Sequence, residues 1–128
     1  MSDRIIDRPL LKQLALIPCV KAGDDSQLRE ILHPDRDDAS IRYSLAHAQV
    51  SPGKCTLRHT LDKSELYYVL SGQGTAFLDD SPYPLVPGSA LLIPPGCEQW
   101  VQNDSSEPLV FLCLVDPPWA ENGETIKE

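Results

Sequence analysis

His59, Glu65 and Gln99 bring an imidazole, a carboxylate and a carboxamide into one stretch, Gly53 to Asn103, whose short runs read as strands. Side chains of a strand alternate between faces, so Cys55, Leu57, His59 and Leu61 share one side. Glu65 goes with Tyr67 and Val69, and Gln99 with Val101 and Asn103. If the apolar members of each set face a core, the three polar groups are carried in with them. A lone buried carboxylate is costly unless it is paired, protonated or bound to a cation, so Glu65 must find one of these. Should the chain be an enzyme, Tyr67 and His47 are the candidates for proton transfer. His47 shares a face with Tyr43 and Leu45 and is expected at the pocket mouth, or else as a packed strand histidine. Cys97, in phase with Gln99, has no Lys or Arg beside it to lower its pKa and reads as a neutral thiol near the rim. His33, beside Pro34, reads as a loop residue.

The elements that position these groups are short. Twelve prolines and seven glycines in 128 residues leave few runs longer than a strand. Strands are expected over 41–50, 54–60, 65–70, 74–79, 89–93, 98–103 and 109–115. Turn residues separate them, including Ser51-Pro52-Gly53, Ser71-Gly72, an acidic tip at Asp79-Asp80-Ser81-Pro82, Val86-Pro87-Gly88 and Pro95-Gly96. Trp100, out of phase with Gln99, should point away from any cavity. In the first forty residues, Asp7 as N-cap and Pro9 suggest a short helix through LLKQLAL. Residues 26–33 (SQLREILH) read as a helical turn or as an added strand at a sheet edge. The segment after Trp119 reads as a frayed tail.

Gly53, His59, Leu61, Glu65 and Gly72 form one spaced motif; Gly88, Pro94, Gly96, Gln99 and Asn103 form a second, and 15 residues separate Gly72 from Gly88. This pattern resembles the paired signatures of the cupin superfamily. The resemblance covers about residues 41–116, and it implies an all-β fold, a small antiparallel double-sheet jelly-roll barrel with an N-terminal extension. One domain over 1–128 follows, with an arm at 1–40, the barrel at 41–116 and a tail at 117–128. In that family the positions held by His59, Leu61, Glu65 and Gln99 form a metal site. Leu61 cannot donate, so the implied metal ligands are His59, Glu65 and Gln99. The resemblance implies a divalent metal such as Mn, Fe, Ni or Zn, while a carboxamide oxygen suits Mn, Mg or Ca better than Zn or Cu. The alternative is a metal-free network in which the three groups bond to one another, to Tyr67 or to water.

Two functions remain open on this reading. One is a binding protein whose polar interior pocket takes a sugar-like or carboxylate small molecule. The other is a metal-dependent isomerase, epimerase, dioxygenase, lyase or decarboxylase acting on a small sugar or acid. Sheet edges invite pairing, which makes a homodimer the expected assembly. A formal charge of −8 without a Lys/Arg cluster argues against nucleic acid as a partner. No run approaches the ~20 apolar residues that span a bilayer. Cys19, Cys55, Cys97 and Cys113 form no CxxC pair and read as free thiols, and the chain reads as cytoplasmic.

Overall fold

Glycines and prolines cut the chain where the pattern places its turns, and short antiparallel strands fill the intervals. The computed structural model describes residues 8–127. The strands are β1 (Val20–Lys21), β2 (Gln27–Leu32), β3 (Ser44–Val50), β4 (Arg58–Leu61), β5 (Ser64–Ser71), β6 (Gly74–Leu78), β7 (Ser81–Leu85), β8 (Ala90–Ile93), β9 (Gln99–Gln102), β10 (Leu109–Asp116) and β11 (Glu124–Lys127). A single helical turn, α1 (Pro34–Asp37), lies between β2 and β3. Two sheets result, in the orders β1-β2-β3-β10-β5-β8 and β11-β4-β9-β6-β7. They face each other as a jelly roll, and the core lies between them. Ala48, Val50, Val69, Ile93 and Phe111 come from one sheet, and Ala76, Leu78, Leu85 and Val101 from the other. Among the described residues, no helix is long and apolar enough to cross a membrane.

Gly72 shows why a turn residue is fixed. Its φ is +83°, and a Cβ there would overlap the Pro108 carbonyl where the β5–β6 turn meets the start of β10.

Three local expectations change, and one open choice closes. Asp7 lies outside the described residues, and the run after Pro9 forms only a 3₁₀ turn at Leu14–Leu16. Leu11 and Leu16 are more than four-fifths exposed, so no tertiary contact supports a longer helix. Of the two readings for residues 26–33 the added strand holds: 27–32 pair with β3 and extend the six-stranded sheet. The acidic tip opens not into a loop but into β7, which carries Pro82 and Pro84. Proline donates no hydrogen bond, and β7 is tolerated because it is an edge strand paired only with β6. The tail is not frayed: β11 pairs with β4 in register, with Glu124 opposite Leu61 and Ile126 opposite His59.

The outer face of the six-stranded sheet is apolar. One row runs Leu45, Leu114, Leu66, Leu92 and the next His47, Leu112, Tyr68, Ala90. Leu92 is 65% exposed.

Candidate functional site

His59 and Gln99 are direct partners across β4 and β9 in one sheet. Glu65 and Tyr67 stand on the inward side of β5 in the other, as alternation requires. The structure brings His59, Glu65 and Gln99 together in the space between the sheets, each 7% exposed or less. Strict phase fails at Cys55. It is exposed, whereas Thr56 is buried and its Oγ1 accepts the Val101 N–H at 2.8 Å, so the pleat breaks before β4 begins.

The hydrogen bonds give each group an orientation. The Tyr67 hydroxyl donates to Gln99 Oε1 at 2.7 Å. The Gln99 amide is thereby turned to the Glu65 carboxylate, whose charged form it favours. His59 Nδ1 is 2.9 Å from the Leu57 carbonyl. A carbonyl only accepts, so Nδ1 carries its proton and Nε2 is the nitrogen offered to the interior.

Nε2 faces two carboxylates that the strand pattern alone does not reveal, Asp24 Oδ2 and Glu124 Oε2, each 3.8 Å away. Asp24 comes from the β1–β2 hairpin, where its Oδ1 accepts the Ser26 backbone N–H at 3.0 Å and the Ser26 hydroxyl at 2.7 Å. Glu124 comes from the first residue of β11. Leu61 stands opposite it, so a carboxylate from the next strand reaches the region where position 61 supplies no donor. A sequence signal existed for Asp24: Asp-Asp-Ser is a turn that presents acceptors. None existed for Glu124, because its role depends on a pairing distant in sequence.

Three carboxyl groups around one imidazole cannot all ionise cheaply. Burial pushes Glu65 up to about 7, opposed by His59 and by the Gln99 hydrogen bond and reinforced by Asp24 and Glu124. Burial also raises Glu124, with His59 pulling the other way and Asp24 adding to the rise. Burial holds Tyr67 and Cys113 well above their usual range, so both are neutral donors at physiological pH. Tyr67 therefore serves as a donor and not as a base. One oxygen of Glu65, Oε1, is buried with no hydrogen-bond partner.

A cavity of about 360 Å³ opens beside this cluster. Asp24, Glu124, Tyr67, Trp119, Ala46 and Phe111 are among its walls. The stretch treated as an arm and the stretch treated as a tail thus supply wall residues. Trp119 is fixed by its N–H to Ser44 Oγ at 3.0 Å and by its carbonyl, which accepts His33 Nε2–H at 2.8 Å. His33, whose Nδ1 also accepts the Asp35 N–H, is a structural tie between arm and tail.

His47 is corrected. It sits on the outer face of β3, opposite Leu112 and Arg29, while Ser44, Ala46 and Ala48 of the same strand line the cavity. Burial and the nearby Arg29 lower its pKa. Trp100 turns outward as its phase requires and stacks on Phe77 at 4.3 Å. Cys97 donates to Asp79 at 3.5 Å, and burial followed by that contact raises its pKa. All four cysteines are free.

The cupin domain profile matches residues 46–115, more than half of the chain. The chain belongs to the cupin family. An uncharacterized protein of Methanocaldococcus jannaschii is 35% identical over 106 residues, covering 82% of this cupin and 84% of that protein. A glucose-6-phosphate isomerase of Thermococcus kodakarensis is 24% identical over 113 residues. That match covers 84% of this cupin but 55% of the isomerase. The polyketide cyclase RemF from Streptomyces resistomycificus shares the fold, with a TM-score of 0.75, 20% identity and coverage of 85% and 80% of the two chains.

The donor set of this cupin does not fit the family's metal centre. Leu61 is a buried hydrocarbon at a ligand position, and the Gln99 oxygen already accepts the Tyr67 hydroxyl. Among the described residues, no three His, Cys, Asp or Glu side chains are grouped as ligands. His59, Glu65 and the second lone pair of Gln99 Oε1 remain as donors of the implied site, one donor short of the family's four.

Proposed function

We propose that this cupin binds a small, hydroxyl-bearing or otherwise donor-rich molecule in the cavity between its sheets. The observation that carries the reading is the acidic end of that cavity, where Asp24 and Glu124 line the wall beside His59. Such an end accepts hydrogen bonds and repels anions, which favours sugar-like ligands and disfavours the carboxylates that the sequence left open. The volume lies near the lower end of the ~300–1,000 Å³ usual for small-molecule pockets. A thermal-shift panel of neutral sugars, amino sugars and sugar acids tests this. Stabilisation by donor-rich members, lost in Ala46→Trp, is the expected result; stabilisation by acids alone overturns it.

A second reading, acid–base catalysis, is favoured by one observation, a carboxyl group held at about 7 next to an imidazole. In this reading Glu65 and His59 exchange protons, with Tyr67 as a neutral donor in the wall. Incorporation of solvent deuterium into a bound sugar, lost in Glu65→Gln, would distinguish turnover from capture.

The homodimer is part of the same proposal and rests on the apolar outer face. The rows from Leu45 to Leu92 and from His47 to Ala90 contain no acidic residue, so two copies of a chain of charge −8 can meet there without like-charge repulsion. Light scattering should give a dimer for the wild type and a monomer for Leu66→Glu combined with Leu114→Glu. A monomeric wild type overturns the assignment.

A further inference from the structure

The charges on the cavity wall do not balance, and the imbalance is local. Lys21 pairs with Asp25 at 3.5 Å, and Arg36 with Glu30 at 3.1 Å, so both basic groups on the wall are engaged elsewhere. Asp24 and Glu124 have no Lys or Arg partner among the described residues. The side-chain nitrogen nearest to both is His59 Nε2, and 3.8 Å exceeds hydrogen-bond reach. Asp24 Oδ1 is satisfied by Ser26, which fixes the side chain and leaves Oδ2 free.

A second observation is independent of these two carboxylates. Glu65 Oε1, on the inward face of β5, belongs to a side chain 7% exposed and has no hydrogen-bond partner. Glu65 stands directly opposite Val115 on β10, a wall residue of the cavity, and one inward position from Tyr67, another, so its unpaired oxygen borders the same interior. The donors at this end are Ser26 for Asp24 and the Trp119 side chain for Glu124, which leave Asp24 Oδ2 and Glu65 Oε1 open, and the rings of Tyr67 and Trp119 stand in the wall beside them. Aromatic faces attract cations as well as apolar groups.

Resting on the binding function proposed above, we propose that the ligand is a small organic cation, a molecule whose primary ammonium group seats between Asp24 Oδ2 and Glu124 Oε2. An ammonium has three donors and no acceptor, the complement of a site rich in unfilled acceptors. Its body lies against Ala46, Phe111 and Trp119. A neutral alcohol offers one donor and no charge to the same oxygens and binds more weakly. A carboxylate is repelled.

Calorimetry on the full chain at pH 7 in chelator tests this with three probes of one ring: glucosamine, glucose and glucuronate. Glucosamine is expected to bind at least tenfold tighter than glucose, and glucuronate most weakly. Asp24→Asn combined with Glu124→Gln should equalise glucosamine and glucose while circular dichroism shows the fold intact. Should that variant fail to fold, loss of the glucosamine advantage in 0.5 M salt is expected for the wild type. Equal affinities for glucosamine and glucose in the wild type overturn the ammonium assignment and leave the cavity's binding function standing. No binding by any of the three overturns both. In a parallel chelator-free thermal-shift measurement, stabilisation by Mn²⁺ alone, abolished by the double substitution, with none from the amine, overturns the organic cation in favour of a metal ion.

Discussion

Glu65→Gln raises the melting temperature of the metal-free protein at pH 8 by about 10 °C and flattens its pH dependence below neutrality. The Glu65 carboxyl is held at about 7 in the folded chain against an ordinary 4.5. Below the ordinary value both states carry the proton, and the group costs nothing. Between the two values the folded chain keeps its proton while the unfolded chain releases it. Stability therefore falls as pH rises, by ~1.4 kcal/mol per unit. Above the folded value both states are ionised, and the full penalty, about 3 kcal/mol, is present. Gln is isosteric and uncharged, so it removes the penalty and retains an oxygen for the Gln99 amide. About 3 kcal/mol corresponds to roughly 10 °C for a domain of this size. Calorimetry of both proteins in EDTA between pH 4.5 and 8.5 measures the difference. Parallel curves would mean that Glu65 is not enclosed as described. Glu124, raised in the same direction, adds to the slope of both proteins.

The second large effect concerns metal. Leu61→His combined with Gln99→His is expected to raise affinity for Ni²⁺ or Zn²⁺ at least 100-fold over wild type. Each substitution adds a nitrogen donor at a position where the cupin resemblance implies one. Imidazole is a far better ligand for these ions than a carboxamide, and a leucine is no ligand at all. The cost is the Tyr67–Gln99 hydrogen bond, on the order of 1 kcal/mol, and some repacking around the buried residue 61. Titration calorimetry of wild type and variant reads the change. An unchanged affinity would show that the side chains at 59, 61, 65 and 99 do not converge on one point. Elemental analysis of the purified wild type is expected to give well under one equivalent of transition metal per chain. A full chelator-resistant equivalent would contradict that.

The scaffold was legible because its signals are local. A positive φ at Gly72 or Gly88 and the alternation of Glu65, Tyr67 and Val69 are properties of neighbouring residues, and they survive without knowledge of the rest of the molecule. The inward trio His59, Glu65 and Gln99 was legible for the same reason. Asp24 and Glu124 were not. Asp-Asp-Ser marks Asp24 as a turn residue and nothing marks Glu124, and each reaches the site through a pairing, β1 on β2 or β11 on β4, that no local pattern encodes. His47 was misplaced because alternation gives two faces and does not say which is inner. The choice was made by Ala46 and Ala48, whose small side chains leave space for the cavity. The edge strand β7 was missed because proline is a poor strand residue everywhere except where no neighbour requires its N–H.

Asp24 and Glu124 stand one hundred positions apart, flanking nearly everything else the fold contains. The acidic end of the cavity is therefore assembled from the two extremities of the described chain, and most of both layers lies between them. The chamber acquires its second wall carboxylate only when Glu124 has been made and β11 has zipped onto β4. A chain cut off before β11 would keep most of both layers but present Asp24 without Glu124 to the chamber.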